Sequence, residues 1–377
     1  MRVAYLVHDL NDPAVAKRLH MLQMGGLSAV VAGFWRGKPP PAEIAGVPVI
    51  ALGRTFDSRL VHRSMATLRH VLAPAGVAQR LGQVDLFLAR NLEMLAIARA
   101  LRRAAGGKPP IAYEVLDLHR TLLSPGRAGK FLRAVERVLM KDAELLVTSS
   151  PAFLREYFEP RQFARRALPA ALVENKMLFI NTAELPDGDA PPAPPWRIGW
   201  FGMIRCRRSL EILRALANKR PDLVRIEIRG RPAQTVFGDL AAEVADAPAV
   251  NFGGAYAPGD LPGLYRSVHF SWAIDYFEES GNSEWLLPNR IYEGGSCNAV
   301  PVALKRTETG RWLKRLDLGV LMDDPARELE TFLENLSPDD YERMKDAARR
   351  APRSAFIADR QDCERLAAVL GAMKQAA

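Results

Sequence analysis

Residues 197–209 read R-I-G-W-F-G-M-I-R-C-R-R-S, an apolar run followed by a glycine, three arginines and the start of a helical pattern. The apolar run 197–202 is typical of a parallel strand that is buried on both faces. The helical pattern that opens at about Ser209 would carry the chain back across the sheet. This segment therefore predicts one strand-loop-helix unit of a parallel sheet that is covered by helices.

The same alternation of short apolar runs and helical patterns continues on both sides of this segment. Strands are predicted at 2–7, 28–34, 47–53, 86–90, 111–116, 145–150, 224–230, 250–255, 269–274, 300–305 and 319–322. Helices are predicted from about Pro13, from about Ser58, to about Ala104, at 127–141, at 151–158, near 237–244, near 260–265, from about Pro288 and in segments up to about 350. The alternation predicts an α/β protein with two doubly wound, Rossmann-like domains.

Residues 185–196 read L-P-D-G-D-A-P-P-A-P-P-W and separate the two series of predicted strands. Their proline content is too high for a helix or a central strand. We therefore predict a first domain over 1–184, a linker over 185–196 and a second domain over 197–353. A final helix over 354–377, with Phe356 among its apolar positions, is expected to pack back on the first domain. Parallel sheets bind ligands at the carboxyl ends of their strands, and two such domains imply a cleft between them.

Composition favours a soluble, globular chain in a reducing compartment. The 377 residues are 48% hydrophobic and 25% charged, which is enough apolar material for two cores. No segment approaches the roughly 20 consecutive apolar residues of a membrane span, and Asp9 follows the start too closely for a secretory signal. The three cysteines form no C-x-x-C pair, so neither disulfides nor a zinc site is expected. A cytoplasmic location is therefore predicted.

The net charge of +9 comes from the first half of the chain, because residues 1–185 carry 26 Lys and Arg against 15 Asp and Glu. Such a domain attracts nucleic acid, anionic lipid or phosphorylated substrates, although a merely solvated arginine-rich surface gives the same count. The predicted helix 127–141 repeats cations at helical spacing between apolar residues. It is expected either to touch an anionic membrane peripherally or simply to cover the sheet. No nucleic-acid-binding motif occurs, so no nucleic acid partner is expected.

The arginine-rich loop after 197–202 has the features of a diphosphate site. Gly202 allows close approach of the backbone, and Arg205 and Arg208 lie near the positive end of the following helix. Cations at a helix N-terminus are unfavourable unless an anion offsets them. The chain contains no G-x-G-x-x-G and no Walker lysine motif, which argues against a dehydrogenase or a P-loop NTPase.

A second cluster lies between Asp275 and Leu304, where a strand ends before a polar loop and a helix. The backbone amides of Gly281, Asn282 and Ser283 are expected to cradle an oxygen-rich ligand. The Glu293 carboxylate is expected to accept hydrogen bonds from a ribose diol. An intrahelical ion pair with Arg290 is the alternative role for Glu293.

Residues 288–302 read P-N-R-I-Y-E-G-G-S-C-N-A-V-P-V and resemble the donor-binding signature of GT-B-fold glycosyltransferases. T-S-S-P-A-F at 148–153 and V-E-N-K at 173–176 resemble the interdomain face and hinge of that family. The nearest group is the bacterial exopolysaccharide enzymes, including succinoglycan-type glucosyltransferases. The resemblance implies a GT-B fold in which the C-terminal domain binds the nucleotide and the N-terminal domain binds the acceptor, often a lipid-linked sugar at the membrane face.

Carried over onto this sequence, the resemblance assigns Arg205 and Arg208 to the pyrophosphate of the donor. Glu293 would bind the ribose, and Asn289 with Arg290 belongs to the same donor-binding signature.

Three positions depart from the family pattern. Trp285 stands where the first of two glutamates is usual, with Glu284 beside it. Arg290 replaces a lysine, and Asn298 replaces a glycine. The contact to the donor sugar is the part of the pattern that these departures affect.

In the first domain, E-V-L-D-L-H-R at 114–120 resembles the acidic and histidine segment of the family. Asp117 is the expected base for the acceptor hydroxyl, and His119 is expected to bind the donor sugar. A helix cap followed by a packed histidine is the alternative. Arg120 is a candidate acceptor contact.

Two further strand ends supply candidates in the first domain. The first loop offers His8 and Asp9 as alternative bases, whereas Asp12 is more readily explained as a helix cap before Pro13. The loop after strand 86–90 offers acceptor contacts, and these are Arg90, Asn91 and Glu93.

The combined prediction is transfer of a hexosyl or uronosyl group from a nucleotide diphosphate sugar, with UDP favoured, to a glycan or lipid-linked saccharide. No metal and no further cofactor are expected, because arginines can neutralise the pyrophosphate. Two other functions share these features. One is a nucleotide-sugar epimerase of the same architecture, and the other is a non-enzymatic, basic, polyanion-binding protein.

Overall fold

A computed structural model describes residues 1–56, 60–163, 167–181, 190 and 193–376. The chain divides into two compact units. The first unit contains residues 1–174 and 359–377, and the second contains residues 175–358. The predicted linker 185–196 lies mostly outside the described residues, and the structured part of the second unit starts before it, at 175.

The elements of the first unit follow the predicted alternation. Its strands are β1 (Arg2–Val7), β2 (Ser28–Trp35), β3 (Glu43–Ile44), β4 (Val47–Arg54), β5 (Leu86–Arg90), β6 (Ile111–Val115), β7 (Leu145–Thr148) and β8 (Ala170–Leu172). Its helices up to residue 174 are α1 (Pro13–Met24), α2 (Leu60–Leu72), α3 (Ala75–Leu81), α4 (Asn91–Ala104), α5 (Arg120–Leu123), α6 (Arg127–Met140) and α7 (Pro151–Phe153), followed by a π-helix (Leu154–Gln162).

Within the described residues, these strands form one sheet in the order β3-β4-β2-β1-β5-β6-β7-β8. All neighbours are parallel except β3 and β4, which form a short antiparallel pair at the edge. The strand order reverses between β1 and β5. Ligands of doubly wound sheets bind at such a switch point, so the ends of these two strands mark the expected site.

The second unit has its own parallel sheet. Its strands are β9 (Met177–Leu178), β10 (Trp196–Ile204), β11 (Val224–Pro232), β12 (Val250–Phe252), β13 (Phe270–Trp272), β14 (Val300–Leu304), β15 (Val320–Met322) and β16 (Ile357–Ala358). Its helices are α8 (Arg207–Lys219), α9 (Leu240–Val244), α10 (Leu261–Arg266), α11 (Asn282–Trp285), α12 (Asn289–Ser296), α13 (Glu308–Arg315), α14 (Pro325–Asn335) and α15 (Pro338–Arg350). The main sheet has the order β12-β11-β10-β13-β14-β15, with its switch point between β10 and β13. The predicted α/β fold with two parallel sheets is confirmed.

The core of the second unit is built around the indole rings of Trp196, Trp200 and Trp272, all of which are buried. They alternate with other apolar side chains on β10 and β13, as expected when helices cover both faces of a sheet. Burying one indole removes on the order of 200 Å² from water, worth about 5 kcal/mol at roughly 25 cal/mol per Å². This packing gives the loops at the strand ends a rigid base.

The predicted final helix is shorter than expected. The chain forms a 3-10 turn at Arg353–Ala355 and then strand β16, and helix α16 (Arg360–Ala376) follows. Phe356 does not belong to the helix, because it packs in the second unit against Trp312, with ring centroids 5.8 Å apart. Asp359 ends the non-helical segment by capping α16, since its carboxylate accepts the Asp362 amide at 2.9 Å. Helix α16 lies on α1, where the backbone of Cys363 approaches Gly25.

The π-helix after α7 has a side-chain explanation. The Glu136 carboxylate on α6 is buried and accepts bonds from Tyr157 at 2.5 Å and from Gln162 at 2.5 Å. Five residues in an α-helix are separated by about 140° around the axis, given 3.6 residues per turn. The wider π-helix turns less per residue, so both side chains reach the same carboxylate. Tyr113 donates a third bond to Glu136 at 2.7 Å.

Candidate functional site

Gly202, the last glycine of β10, lies at the switch point of the second sheet. Its φ of +105° is left-handed, so a side chain here would be strained. Gly202 pairs with Gly230 on β11, and a Cβ on Gly230 would lie 1.8 Å from the Gly202 carbonyl oxygen. A Cβ on Gly202 would meet only the Tyr256 hydroxyl, at 4.0 Å. The two glycines therefore allow the strands to close together while leaving open space beside Gly202.

Arg205 lies at the end of β10 and faces the end of β13. Its Nε and Nη2 atoms donate to Asp275 Oδ2 at 3.0 Å and 2.9 Å. The guanidinium also stacks on the Phe277 ring, 5.2 Å from its centroid. About a third of the Arg205 side chain is exposed, so its planar group is held in place and still reaches solvent. This is the geometry that a second oxyanion needs for bidentate recognition.

Arg208, in the first turn of α8, is held by a more exposed partner. It donates to the Glu279 carboxylate at 3.2 Å and lies 4.2 Å from the centroid of the Tyr276 ring. Glu279 also accepts a bond of 2.8 Å from Arg306, the second residue after β14. The Glu279 carboxylate thus lies between two guanidinium groups at the carboxyl end of the sheet and pairs with both. Arg306 was not among the predicted site residues, although its place directly after a predicted strand was a usable signal.

The predicted amide cradle at Gly281–Ser283 is largely occupied by the loop itself. The amides of Gly281 and Ser283 both donate to the Glu278 carbonyl, at 3.2 Å and 3.3 Å. Asn282 and Ser283 are buried, and the Ser283 hydroxyl accepts the Glu278 amide at 3.0 Å. These residues shape the loop from within. The expectation that the Gly281 and Ser283 amides bind a ligand is therefore corrected, because neither donor is available to one.

A small depression, with room for about one water molecule, lies beside this loop. It is lined by residues from the ends of β13 and β14 and from the loop, among them Asp275, Ser283, Pro288 and Thr307. The Arg205 partner Asp275 therefore lies at the wall of a concave surface.

Glu293 on α12 lies among tyrosines. Tyr265, which is fully buried, donates to Glu293 Oε2 at 3.3 Å. Burial and then the nearby Glu293 charge raise the pKa of Tyr256 to about 12, so its hydroxyl keeps its proton. Tyr256 thereby connects Glu293 to the open space beside Gly202. Tyr256 was not among the predicted site residues, and its only signal in the sequence was its place in the glycine-rich loop after β12.

Arg290 and Asn289 have local partners within the second unit. Arg290 Nη1 donates to the Trp272 carbonyl at 3.3 Å, which fastens α12 to the end of β13. Asn289 is exposed, and its side-chain oxygen accepts a bond of 2.6 Å from Asn175. Both residues therefore orient the helix that carries Glu293.

The asparagine that replaces the usual glycine has a conformational explanation. Asn298 has a φ of +58° and follows the end of α12. The amides of Ala299 and Asn298 bond back to the carbonyls of Gly294 and Gly295 at 2.9 Å and 3.1 Å, which is a Schellman motif. Asparagine tolerates the left-handed conformation better than other residues with a side chain. The substitution therefore preserves the helix end.

In the first unit, Arg90 is part of a buried ion-pair network. Its Nε donates to Glu114 at 2.7 Å, its Nη1 to Asp12 at 3.1 Å and its Nη2 to the Ala14 carbonyl at 3.3 Å. Arg90 and Glu114 are both fully buried. With its donors used internally, Arg90 has a structural role, and we omit it from the acceptor contacts proposed below.

Glu114 is the centre of this network. It also accepts bonds from Arg18 at 2.6 Å and from the Tyr5 hydroxyl at 2.8 Å. Burial by itself would raise the pKa of Glu114, but the guanidinium groups of Arg90 and Arg18 outweigh burial and lower it to about 2. The carboxylate is therefore ionised and structural.

His8 and Asn91 meet at the switch point of the first sheet. Asn91 Nδ2 lies 3.2 Å from His8 Nδ1, and Asn91 has a left-handed φ of +71° directly after β5. Burial and the nearby Arg36 lower the pKa of His8 to about 3, so its imidazole is neutral near pH 7 and a weak base. If Asn91 donates to Nδ1, the proton of the ring lies on Nε2. A strained asparagine and a neutral histidine beside the switch point favour binding over proton abstraction.

Asp12 and Asp9 differ in role. Asp12 caps α1 by accepting the Ala14 amide at 2.9 Å, which confirms the expected cap. Asp9 accepts the Asn11 amide at 3.1 Å and is only partly exposed at the end of β1. Asp9 therefore lies at the carboxyl end of β1, where its side chain is partly exposed.

Asp117, His119 and Arg120 lie in the exposed segment after β6. His119 caps α5 through Nδ1, which accepts the Thr121 amide at 3.2 Å. Desolvation and then the charge of Arg63 lower the pKa of His119, which favours a neutral ring whose Nε2 carries the proton. Asp117 is exposed after the carboxyl end of β6.

Glu93, on the first turn of α4, forms an ion pair with Arg63 of α2. Burial by itself would raise the pKa of Glu93, but the charge of Arg63, a backbone hydrogen bond and the neighbouring His8 together outweigh burial and lower it. Glu93 therefore remains an anion that joins two helices next to Asn91.

Across the ranges given above, no three His, Cys, Asp or Glu side chains cluster in a way that would hold a metal ion. The chain's one aspartate-x-aspartate pair, Asp187 and Asp189, lies outside those ranges. In the same part of the chain, no helix combines the length and the apolar character that crossing a membrane requires.

Solved structures share this architecture over the whole chain. The sucrose-phosphate synthase tll1590 of Thermosynechococcus elongatus has a TM-score of 0.74 at 14% identity, covering 100% of both chains. Anabaena Alr3699/HepE in complex with UDP and glucose has a TM-score of 0.72 at 18% identity, covering 99% of this chain and 100% of that one. A glycosyltransferase of Rickettsia africae ESF-5 has a TM-score of 0.66 at 11% identity, covering 100% and 99%. The chain therefore has the GT-B fold of glycosyltransferases.

A relative with higher sequence identity shows which family of glycosyltransferases the chain belongs to. The succinoglycan biosynthesis protein ExoL of Rhizobium meliloti (strain 1021) is 44% identical over 376 residues, which is 97% of this chain and 92% of that protein. The chain belongs to the ExoL family. No family model matches it.

Proposed function

We propose that the chain is a glycosyltransferase that moves a hexosyl or uronosyl group from a UDP-sugar to a glycan or lipid-linked saccharide in exopolysaccharide synthesis. The kinship to ExoL, named for succinoglycan biosynthesis, supports the pathway class. The HepE structures, solved with UDP-glucose, support the donor class through a shared fold.

The observation that carries the proposal is the set of guanidinium groups at the switch point of the second sheet. Arg205 and Arg208 each hold one carboxylate and still reach solvent, and Arg306 shares the carboxylate of Arg208. A diphosphate that binds Arg205 beside Asp275 and displaces the exposed Glu279 gains these charge-assisted bonds together with the N-terminus of α8. The same groups would stabilise the UDP leaving group as the glycosidic bond breaks, without a divalent ion.

The nucleoside end of the donor is assigned to Glu293 and Tyr256. The Glu293 carboxylate accepts hydrogen bonds from the ribose diol, and the Tyr256 hydroxyl faces the open space beside Gly202. Asn289 and Arg290 hold α12 in position for this contact.

The acceptor side is assigned to the first unit. Asp117 is proposed as the base that takes the proton of the acceptor hydroxyl, and Asp9 is the alternative base. His119 donates through Nε2 to a sugar oxygen. His8, whose pKa of about 3 makes it a weak base, takes a binding role. Asn91, Glu93 and Arg120 complete the acceptor contacts in this proposal.

We place the activity in the cytoplasm, at the inner face of the membrane. All three cysteines are buried and free, as a reducing compartment requires. A lipid-linked acceptor would bring the enzyme to the membrane surface.

Calorimetry and thermal-shift measurements with UDP, UDP-glucose, UDP-glucuronate, GDP, NAD and ATP test the donor site. A ligand at 100 times its dissociation constant stabilises the folded state by about 2.7 kcal/mol. We expect the UDP series to raise the melting temperature of the wild type, and Arg205→Ala and Glu293→Ala to lower the rise by at least about half. Arg207→Ala is the matched control, because Arg207 lies in the same turn but pairs with Glu243. A response to NAD alone, or equal responses in all variants, would refute the assignment.

An activity assay separates transfer from epimerisation. With UDP-glucose and a lipid-linked saccharide, the proposal requires release of UDP only when the acceptor is present. Interconversion of the nucleotide sugar without acceptor would instead identify an epimerase. Asp117→Asn is expected to lower turnover while leaving the affinity for UDP unchanged.

A further inference from the structure

One helical layer of the first unit has an unusual distribution of charge. Helix α4 packs on α2, α3 and α6, which together form this layer. The four helices contain ten arginines and lysines and only two acidic residues, both glutamates. Glu136 is buried with its three donors, and Glu93 is paired with Arg63. Neither glutamate therefore opposes the cations that the layer exposes.

Helix α2 exposes a stripe of large apolar side chains within this basic layer. Met65, Leu68 and Leu72 are 66%, 52% and 75% exposed. Their spacing of three and seven residues places them on one side of the helix. Arg69 lies next to them, is also exposed, and forms no ion pair with a described residue.

Helix α6 repeats the arrangement. Phe131 and Val138 are 66% and 47% exposed, and their spacing of seven residues places them on one side of the helix. Arg127, Lys130 and Arg137 are exposed beside them. Neither Arg127 nor Lys130 forms an ion pair with a described residue.

A groove lies between these helices. It has a volume of about 470 Å³. Leu72 of α2 and Leu139 of α6 both line it, together with Arg99 and Arg103 of α4. The groove therefore lies between α2 and α6, with apolar walls and the cations of α4 at its margin.

We infer that this basic apolar face docks on the surface of an anionic bilayer. The face is defined by the side chains of Met65, Leu68, Leu72, Arg127, Lys130, Phe131 and Val138. Apolar side chains enter the acyl boundary while neighbouring cations bind anionic headgroups, and each cation near the surface adds about a fivefold gain in partition.

The charge of the face argues against two other occupants. A second copy of this chain would bring one set of cations against another, which is repulsive. A nucleic acid would satisfy the cations but leave five large apolar side chains in water. The inference gives a surface to the membrane location proposed above, and it does not depend on the transfer reaction.

Vesicle flotation of the full chain tests the inference. The probes are phosphatidylcholine vesicles with and without phosphatidylglycerol, at low and at high salt. We expect binding to the anionic vesicles, weakened by salt, and little binding to phosphatidylcholine alone. Changing Arg127→Glu together with Lys130→Glu should lower binding more than tenfold, and both acidic residues suit the first turns of α6.

The control for charge is Arg225→Glu with Lys314→Glu, two exposed cations of the second unit that undergo the same change in charge. The apolar part is tested by Met65→Ser with Leu72→Ser, compared with Ile180→Ser and Val369→Ser at exposed positions outside the face. We expect the face variants to lose binding and the controls to keep it. The thermal shift by UDP should persist in every variant, so a failure here is separable from a failure of the donor site.

Three outcomes would overturn the inference. The first is equal binding to neutral vesicles, and the second is equal loss in face and control variants. The third is a concentration-dependent dimer in the absence of lipid that Met65→Ser with Leu72→Ser abolishes, since this would identify the face as a contact between copies of the chain.

Discussion

Each of the two sheets places an arginine at a switch-point strand end, and the two arginines have opposite surroundings. Arg90 of the first unit is 1% exposed and has its donors satisfied by Glu114, Asp12 and a carbonyl group. Arg205 of the second unit is 31% exposed and holds a single carboxylate. An arginine at a strand end is therefore not a ligand site by position alone. What distinguishes the two is whether the guanidinium group still reaches solvent beside its carboxylate partner.

Removing the partner of Arg90 is expected to have the largest effect. Glu114→Ala leaves two buried guanidinium groups without their anion, which should lower the free energy of unfolding of the first unit by about 3–5 kcal/mol. Far-UV circular dichroism during denaturant unfolding measures the change. Glu227→Ala, at a more exposed carboxylate of the second sheet, is the control. If the stability of Glu114→Ala were unchanged, the assignment of a structural role to Arg90, in contrast to Arg205, would be wrong.

Acid should weaken the Arg90 network in a defined range of pH. The folded-state pKa of Glu114, about 2, lies below its ordinary value of 4.5, so the unfolded chain binds more protons between these values. Stability from this group is complete above about pH 4.5 and is lost as the pH falls toward 2, a change of about 3 kcal/mol. Unfolding measured at several pH values in the wild type and in Glu114→Gln checks this. The pH-dependent loss should be smaller in the variant, and parallel curves would contradict the assignment.

Removing both surface arginines should affect the ligand more than the fold. Arg205→Ala with Arg208→Ala is expected to weaken UDP binding by at least about 100-fold, since each charge-assisted bond contributes about 1.5–3 kcal/mol. Arg208→Ala alone should change the free energy of unfolding by less than about 1 kcal/mol, because its ion pair is exposed. Titration calorimetry measures the affinity. A tenfold or smaller loss in the double variant would mean that the diphosphate lies elsewhere.

The smallest expected effect is a gain, rather than a loss, of affinity for UDP. Glu279→Gln removes a carboxylate that competes with the diphosphate for Arg208 and Arg306. We expect UDP to bind about two- to fivefold more tightly, consistent with the modest energy of an exposed pair. The same titration compares the variant with Glu243→Gln, which changes the partner of Arg207 instead. Weaker binding in Glu279→Gln would show that Glu279 itself helps to hold the ligand.

Much of the fold could be predicted because its signals are local. The strand runs at 2–7 and 86–90 coincide with β1 and β5, since strands covered by helices on both faces have almost no polar residues. Strand β8 was missed because three residues carry too little pattern. Phe356 was assigned to a helix because its apolar character fits either a helix or a core, and only packing against Trp312 decides between them.

The candidate site was less predictable because the contacts that decide the role of each residue join residues that are distant in the sequence. Arg90 looked like a ligand contact since its partner Glu114 lies 24 residues away and Arg18 lies on another helix. The Gly281 and Ser283 amides looked free because no sequence pattern reveals that the Glu278 carbonyl binds them both. Arg306 and Tyr256 join the site only because parallel strands bring their ends to one edge. The sequence shows which residues are charged, whereas only the structure shows which of these charges are paired with a partner.

The indole rings that fill the core of the second unit also decide what an optical experiment on this chain can detect. Of the six tryptophans, only Trp35 belongs to the first unit. Intrinsic fluorescence will therefore report almost entirely on melting of the second unit and will be nearly silent about the first. A fluorescence trace and an ellipticity trace that separate in Glu114→Ala, but coincide in Arg208→Ala, would show which half loses its structure first.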